Sequence, residues 1–163
     1  MNKLALLVKD EEGMTLVELL AVIVILSIVA AIGGVAITGV IQRSREDARV
    51  ADVNMLYEAA QLAEASDSYI SGKPNKEATA ADLQTQGYST TINFIEAAAR
   101  PNVKFKMIGG GATADKLVVT IPEKAIKAGS KTNVLISEKG AEFIKSLTRV
   151  TLFATGTPTP SGQ

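Results

Sequence analysis

The sequence predicts an α+β fold: one long N-terminal helix, apolar over its first half, packs through its second half on a small antiparallel sheet. Three observations carry this expectation. Residues 19–41 hold no charge, and their only breaks in apolar character are small or weakly polar, at Ser27, Gly33, Gly34, Thr38 and Gly39. Past Gln42 the helical spacing continues, with Val50, Val53, Tyr57, Ala60 and Ala63 recurring on one face and Leu56 flanking it. From Val103 the apolar period drops to two, which is the period of a half-buried strand.

The apolar run comes first in the argument. A helix rising ~1.5 Å per residue over residues 19–41 spans a hydrocarbon core of ~30 Å. Glu18 sits at the edge of that run, where a carboxylate facing lipid is costly and marks function. Three ordinary readings compete. A secretory signal would have its core end near Ala30-Ala31, but the run continues through Val35, Ile37, Val40 and Ile41. A plain single-pass anchor leaves Glu18 unexplained. A buried soluble helix is disfavoured because ~18 or more uncharged apolar residues read as membrane.

The stretch Gly13-Met14-Thr15-Leu16-Val17-Glu18-Leu19-Leu20, behind a short charged leader and ahead of an apolar helix, resembles the N-terminus of type IV prepilins. The likeness covers residues 1 to about 45; the remainder is similar to pilin heads only in general plan. It implies a pilin-like fold and cleavage after Gly13 by a membrane-embedded prepilin peptidase. It further implies that Met14 becomes the N-methylated first residue and that Glu18 is the glutamate serving assembly. The implied division is leader 1–13, membrane and filament-core helix 14–42, head domain 43–154 and flexible tail 155–163.

The partners implied by the resemblance are other copies of the chain in a filament, the peptidase, an assembly ATPase, a platform protein and the membrane. The chain then begins as a single-pass protein of the inner or cytoplasmic membrane and ends in an extracellular pilus serving adhesion, twitching motility or aggregation. Pilins commonly unwind near residues 33–39 on assembly; the frequent proline is absent here, so unwinding rests on Gly33, Gly34 and Gly39. The leader departs from the usual basic ending, because Asp10, Glu11 and Glu12 follow Lys9. Lys3 and Lys9 precede the run while Arg43, Arg45 and Arg49 follow it, so basic residues alone do not orient the helix. The cytoplasmic N-terminus is implied by the resemblance.

Arg43, Arg45, Glu46, Asp47, Arg49 and Asp52 then read as a solvated continuation of the helix, with opposite charges pairing along it. The helix is expected to end at Ser66 to Tyr69, before a loop at Ser71-Gly72-Lys73-Pro74-Asn75-Lys76. Thr79-Ala80-Ala81-Asp82 reads as a capping box, with Gly87 just past the helix end. Ile92–Ala99 forms a second helical piece stopped by Arg100-Pro101. Strands are expected over 103–107 and 117–121, separated by a turn from Gly109 to Asp115. Pro122 opens a short helix closing at Gly129. A strand over 132–136, a helix over 138–147 and a strand over 150–154 complete the head.

Composition limits the function classes. Lys plus Arg and Asp plus Glu each number 17, so net charge favours no polyanionic or polycationic partner. With neither His nor Cys, the commonest zinc ligands and the usual nucleophile–base pairs are missing. No catalytic constellation, cofactor or metal site is expected; Gly109-Gly110-Gly111 lacks the Lys-Ser/Thr of a phosphate loop, and Asp115 alone is too few ligands for Ca²⁺. Lys104, Lys106, Lys124, Lys127 and Lys131 leave nucleic-acid contact as a weaker alternative.

Absence of Cys also points toward a Gram-positive kind of major pilin, since many Gram-negative pilins staple their C-terminal region with a disulfide. A main filament subunit is the first reading. A pseudopilin of a type II secretion or competence DNA-uptake system is the alternative; a membrane-tethered binding domain is the alternative from another class. Intact mass of the mature subunit is expected to correspond to a chain starting at Met14 and carrying one methyl group. A start near Gly33 would show conventional signal cleavage instead.

Overall fold

The computed structural model describes residues 16–110 and 113–154. The chain divides into two units, Met1–Ile41 and Gln42–Gln163. Helix α1, Leu16–Asp67, is 52 residues long and contributes to both.

In the first unit the helix is apolar all round and its own unit covers none of it. Leu16 is 86 % exposed, and large side chains from Leu19 to Ile41 remain about half exposed. Such a surface requires lipid or other helices around it.

In the second unit the expected face of α1 is the buried one. Val53, Leu56, Tyr57, Ala60 and Ala63 are buried, and Val50 packs at the margin of the same core. The helix ends at Asp67, where Ser68 takes a left-handed φ of 49°. Glu64 finishes the end by accepting hydrogen bonds from the N–H groups of Ile70 and Ser71 at 3.0 and 2.9 Å.

After the loop come β1, Glu77–Thr79, and α2, Ala80–Thr85. The Thr79 hydroxyl accepts from the Asp82 N–H while the Asp82 carboxylate accepts from the Thr79 N–H, as the capping pattern predicts. Gly87 follows at φ 83°, a conformation open to glycine at low cost. A 3₁₀ helix, Ala97–Asn102, leads into β2, Lys104–Gly110, and β3, Thr113–Ile121. A separate hairpin, β4 Lys127–Ala128 with β5 Lys131–Thr132, precedes β6, Ile136–Lys139. Helices α3, Ala141–Lys145, and α4, Arg149–Leu152, end the described chain.

The main sheet is antiparallel in the order β1-β2-β3-β6. Pairing of Phe105 with Val119 sets one face against the core, where both are almost wholly buried. Leu83, Ile92, Ile95, Ile121, Ile126, Ile144 and Leu152 join them. Burial of each large side chain contributes about 1.5–3 kcal/mol before chain entropy is subtracted. The α+β, pilin-like architecture is therefore present.

Several local expectations differ. The piece placed at Ile92–Ala99 is a 3₁₀ helix beginning at Ala97, and it contains Pro101 instead of stopping before it. Ile95 is held by a bridge to Ile126, which removes its backbone from any helix; a short 3₁₀ turn loses little to a proline. The broad turn expected from Gly109 to Asp115 is narrower: Gly110 pairs with Thr113, so the connection is residues 111–112, outside the described residues. Gly109, at φ 123°, lies at the register shift between Ile108 and Gly110.

No helix runs from Pro122 to Gly129, and the strand over 132–136 is displaced. The Asn133 side chain explains both. Its Oδ1 accepts from the Ile126 N–H at 2.7 Å, and its Nδ2 donates to the carbonyls of Pro122 and Val134, each at 2.8 Å. These bonds hold 122–134 as a turn followed by the β4–β5 hairpin. The helix expected over 138–147 shrinks to Ala141–Lys145, because Glu138 belongs to β6 with φ 46°.

The last strand, expected over 150–154, is helix α4. Reciprocal bonds between Thr148 and Thr151 cap it, at 3.3 Å from the Thr151 N–H and 2.9 Å from the Thr148 N–H. Capping outweighs the strand preference of Val150 and Thr151. Burial agrees, with Val150 70 % exposed and Leu152 fully buried. The tail 155–163 lies outside the described residues.

Asn133→Ala removes hydrogen bonds to the Ile126 N–H and to the Pro122 and Val134 carbonyls, of which the Pro122 carbonyl keeps only the Ala125 N–H at 3.4 Å. It is expected to cost about 2–3 kcal/mol, or on the order of 10 °C in Tm, measured by thermal unfolding in detergent. An unchanged Tm would show that the loop holds without this side chain.

Candidate assembly segment

Glu18 stands in the first turn of α1, where the partial positive charge of the helix N-terminus favours a carboxylate. Gly13 and Met14, the residues expected to carry cleavage and methylation, lie outside the described residues. The window of highest hydropathy in α1 averages 2.9, so the helix is long and apolar enough to cross a membrane. Ser27 fits that solvent, because its hydroxyl donates to the Ile23 carbonyl at 2.6 Å and leaves no unpaired donor.

Gly33, Gly34 and Gly39 lie within continuous helix. A Cβ at any of them would meet nothing within 4 Å. Each glycine costs about 1 kcal/mol relative to alanine in a helix interior, and no neighbour among the described residues demands it.

Beyond Gln42 the charges are arranged differently from the expected ladder along the helix. Arg49 and Asp52 do pair within it, at 2.7 Å. Asp47 instead reaches Arg149 at 3.2 Å, and Glu46 reaches Lys131 of β5 at 2.9 Å. Glu46 is only 3 % exposed. Gln42 Nε2 donates to the Glu46 carboxylate at 2.8 Å and to the Ala128 carbonyl at 2.7 Å. Arg49 Nε donates to the Lys127 carbonyl at 3.0 Å.

Residues 42, 46 and 49 share one helix face, so the hairpin grips the first two turns past the apolar run. Gly129 at its tip has φ 60°, and a side chain there would collide with the Gln42 amide. Donation from Gln42, then from Lys131, holds the Glu46 carboxyl below the ordinary carboxylate range despite its burial.

Gln42 and Gly129 did not stand out in the sequence as a site, and Lys131 did so only among the lysines open to nucleic-acid contact. The hairpin had one legible signal, Gly129-Ser130 as a two-residue connection between short paired segments. The partnership with Glu46 had none, because it joins residues remote along the chain.

Elsewhere a groove of about 580 Å³ is lined by Tyr57, Gln61, Lys116, Leu117, Glu142 and Phe143, among others. Its mixed lining converges on no reactive pair. Among the described residues no cluster of three or more metal-ligating side chains occurs.

The geometry defines a protein with an unpartnered apolar helix joined to a small α+β head. Residues 8–34 match the model of the prokaryotic N-terminal methylation motif, which is typical of type IV prepilins. That match brackets Gly13, Met14 and Glu18 and supports a protein of the pilin or pseudopilin kind. The motif implies processing by a prepilin peptidase and filament assembly in general, and it is consistent with membrane anchoring beforehand. No curated protein and no solved structure matches the chain.

The clasp carries a pH signature. Folding depresses the Glu46 pKa below its unfolded value of ~4.3, so its contribution is complete above that value and lost as pH falls through the folded pKa. Glu46→Gln is expected to lower stability at pH 7 by about 1–2 kcal/mol. It should also lose less than the parent between neutral and acidic pH. Melting curves across that range check this; identical acid slopes would show that Glu46 contributes nothing to acid sensitivity.

Proposed function

We propose that the chain is a structural subunit of a type IV pilus, acting by self-assembly and catalysing nothing. The observation that carries this reading is the methylation motif over residues 8–34 running into an apolar helix with no cover of its own, which supports cleavage after Gly13 and a role for Glu18 at the head of the helix. Cleavage after Gly13 frees an α-amino group on Met14, which methylation keeps cationic. The subunit resides in the membrane with its head outside, then leaves it to bury the apolar helix among helices of other copies.

Removing both the Met14 ammonium and the Glu18 carboxylate from water requires that each find a partner. A neighbour's ammonium facing Glu18 sets the axial position of an incoming subunit. A pair within one chain, four residues apart, only eases residence in lipid. Open space around Gly33, Gly34 and Gly39 supports close approach of helices or local unwinding during assembly. An ATPase and a platform protein would drive extraction, with adhesion, twitching or aggregation as the output. Lack of Cys favours the Gram-positive kind. Long sheared filaments containing this subunit distinguish the pilus from the short filaments of a pseudopilin or from a tether that never polymerises.

Glu18→Ala is expected to reduce surface filaments at least about tenfold, the effect of ~1.4 kcal/mol per docking event, while cleavage and head folding persist. Shearing with immunodetection, alongside the intact mass of the membrane-held subunit, measures both. Normal filament levels would remove the docking role; loss of cleavage would reassign Glu18 to the peptidase.

A further inference from the structure

Basic residues are heavier after the apolar run than before it, and assembly gives Arg43 and Arg45 no task. Arg49 is occupied, bound to Asp52 and to the Lys127 carbonyl. Arg43 and Arg45 are exposed and form no ion pair among the described residues. The hairpin brings further cations to the same two turns of α1: Lys131, consumed by Glu46, and Lys127, exposed and only loosely paired with Glu96 at 3.7 Å. Carboxylates nearby are already committed, Glu46 to Lys131, Asp52 to Arg49 and Asp47 to Arg149. Among the described residues, positive charge without an ion-pair partner therefore remains at Arg43 and Arg45, with the loosely paired Lys127 on the hairpin that docks at the same turns.

Its position follows from the chain. Gln42 is the first residue after the uncharged run, and it binds the Ala128 carbonyl, so the hairpin tip meets α1 at that first residue. Arg43 and Arg45 lie within ~6 Å along the helix of the end of the run, at ~1.5 Å per residue. A bilayer's headgroup zone adds roughly 5–7 Å on each side of its hydrocarbon. With the run in lipid, these cations stand among headgroups.

We propose that Arg43, Arg45 and Lys127 form a basic collar that binds the phosphates of anionic phospholipids on the head side of the membrane before assembly. This rests on the membrane residence proposed above. Guanidinium groups suit the partner, because their planar fork pairs two donors with phosphate oxygens. A lipid surface is favoured over a soluble polyanion because it meets these three residues whenever the apolar run is inserted. The collar acts as an electrostatic latch, which extraction must break one headgroup contact at a time.

The chain contains no Cys, so Ser130→Cys at the exposed hairpin tip provides a unique attachment point. Full-length protein carrying a fluorophore there is placed in vesicles containing a headgroup-located quencher lipid. In vesicles with phosphatidylglycerol as roughly one-third of the lipid, quenching is expected to be roughly threefold that in pure phosphatidylcholine. It should collapse in ~1 M salt, where the Debye length is ~3 Å.

Replacement of Arg43, Arg45 and Lys127 by Gln should abolish the lipid dependence. Arg43→Gln alone, at an exposed residue whose loss threatens no fold contact, should weaken it. Equal quenching in both lipids, with the chain still floating alongside the vesicles, overturns the collar and leaves membrane residence standing. Failure to float with either vesicle overturns both. Release by inorganic phosphate at matched ionic strength overturns the lipid assignment in favour of a free-phosphate site.

Discussion

Everything in this chain depends on one helix that must satisfy two solvents. Over residues 19–41 its described surface is apolar in every direction and its own unit offers no cover, so its free energy is set by what surrounds it. Over residues 42–67 the same helix becomes amphipathic and completes a core with a four-stranded sheet. A monomer in water can satisfy only the second half. The first half needs lipid or the helices of other copies, and the methylation motif over residues 8–34 fits a protein that uses both in turn.

The change from one regime to the other is abrupt in sequence and is secured in structure. Gln42 follows the last apolar residue, and its amide, the Glu46 carboxylate and the Lys131 ammonium form a closed set of polar partners. A buried carboxylate without them would be strongly unfavourable. With them, it fixes the hairpin to the helix in the first turns past the apolar run. Gly129 is required on two counts, its left-handed backbone and the Gln42 side chain pressed against it.

Legibility in the sequence followed the range of the interactions. Long periodic signals read correctly: the apolar run, the buried face from Val53 to Ala63, and the alternation around Phe105. So did the strictly local capping box at Thr79. Beyond the pieces at Ile92–Ala99 and Gly109–Asp115, the errors lie between Pro122 and Phe153, where short elements are decided by one remote side chain or one cap. Asn133 looks like any polar loop residue until its three bonds are seen, and Val150-Thr151 looks like a strand until the Thr148 hydroxyl is placed. Of the residues expected to serve assembly, Glu18 stands in the first turn of α1, and Gly13 and Met14 lie outside the described residues. The Gln42 clasp was invisible because its halves are far apart in the chain.

That last separation has a kinetic meaning. Gln42 and the Ala128 carbonyl are 86 residues apart, so their bond closes a loop containing most of the head. Loop-closure entropy rises only slowly with length, but no closure can begin until the distant segment exists. In a chain made from its N-terminus, the apolar helix is available to lipid long before residue 128 is synthesised. The order of synthesis therefore leaves the apolar helix to its surroundings before the hairpin that grips residues 42–49 exists.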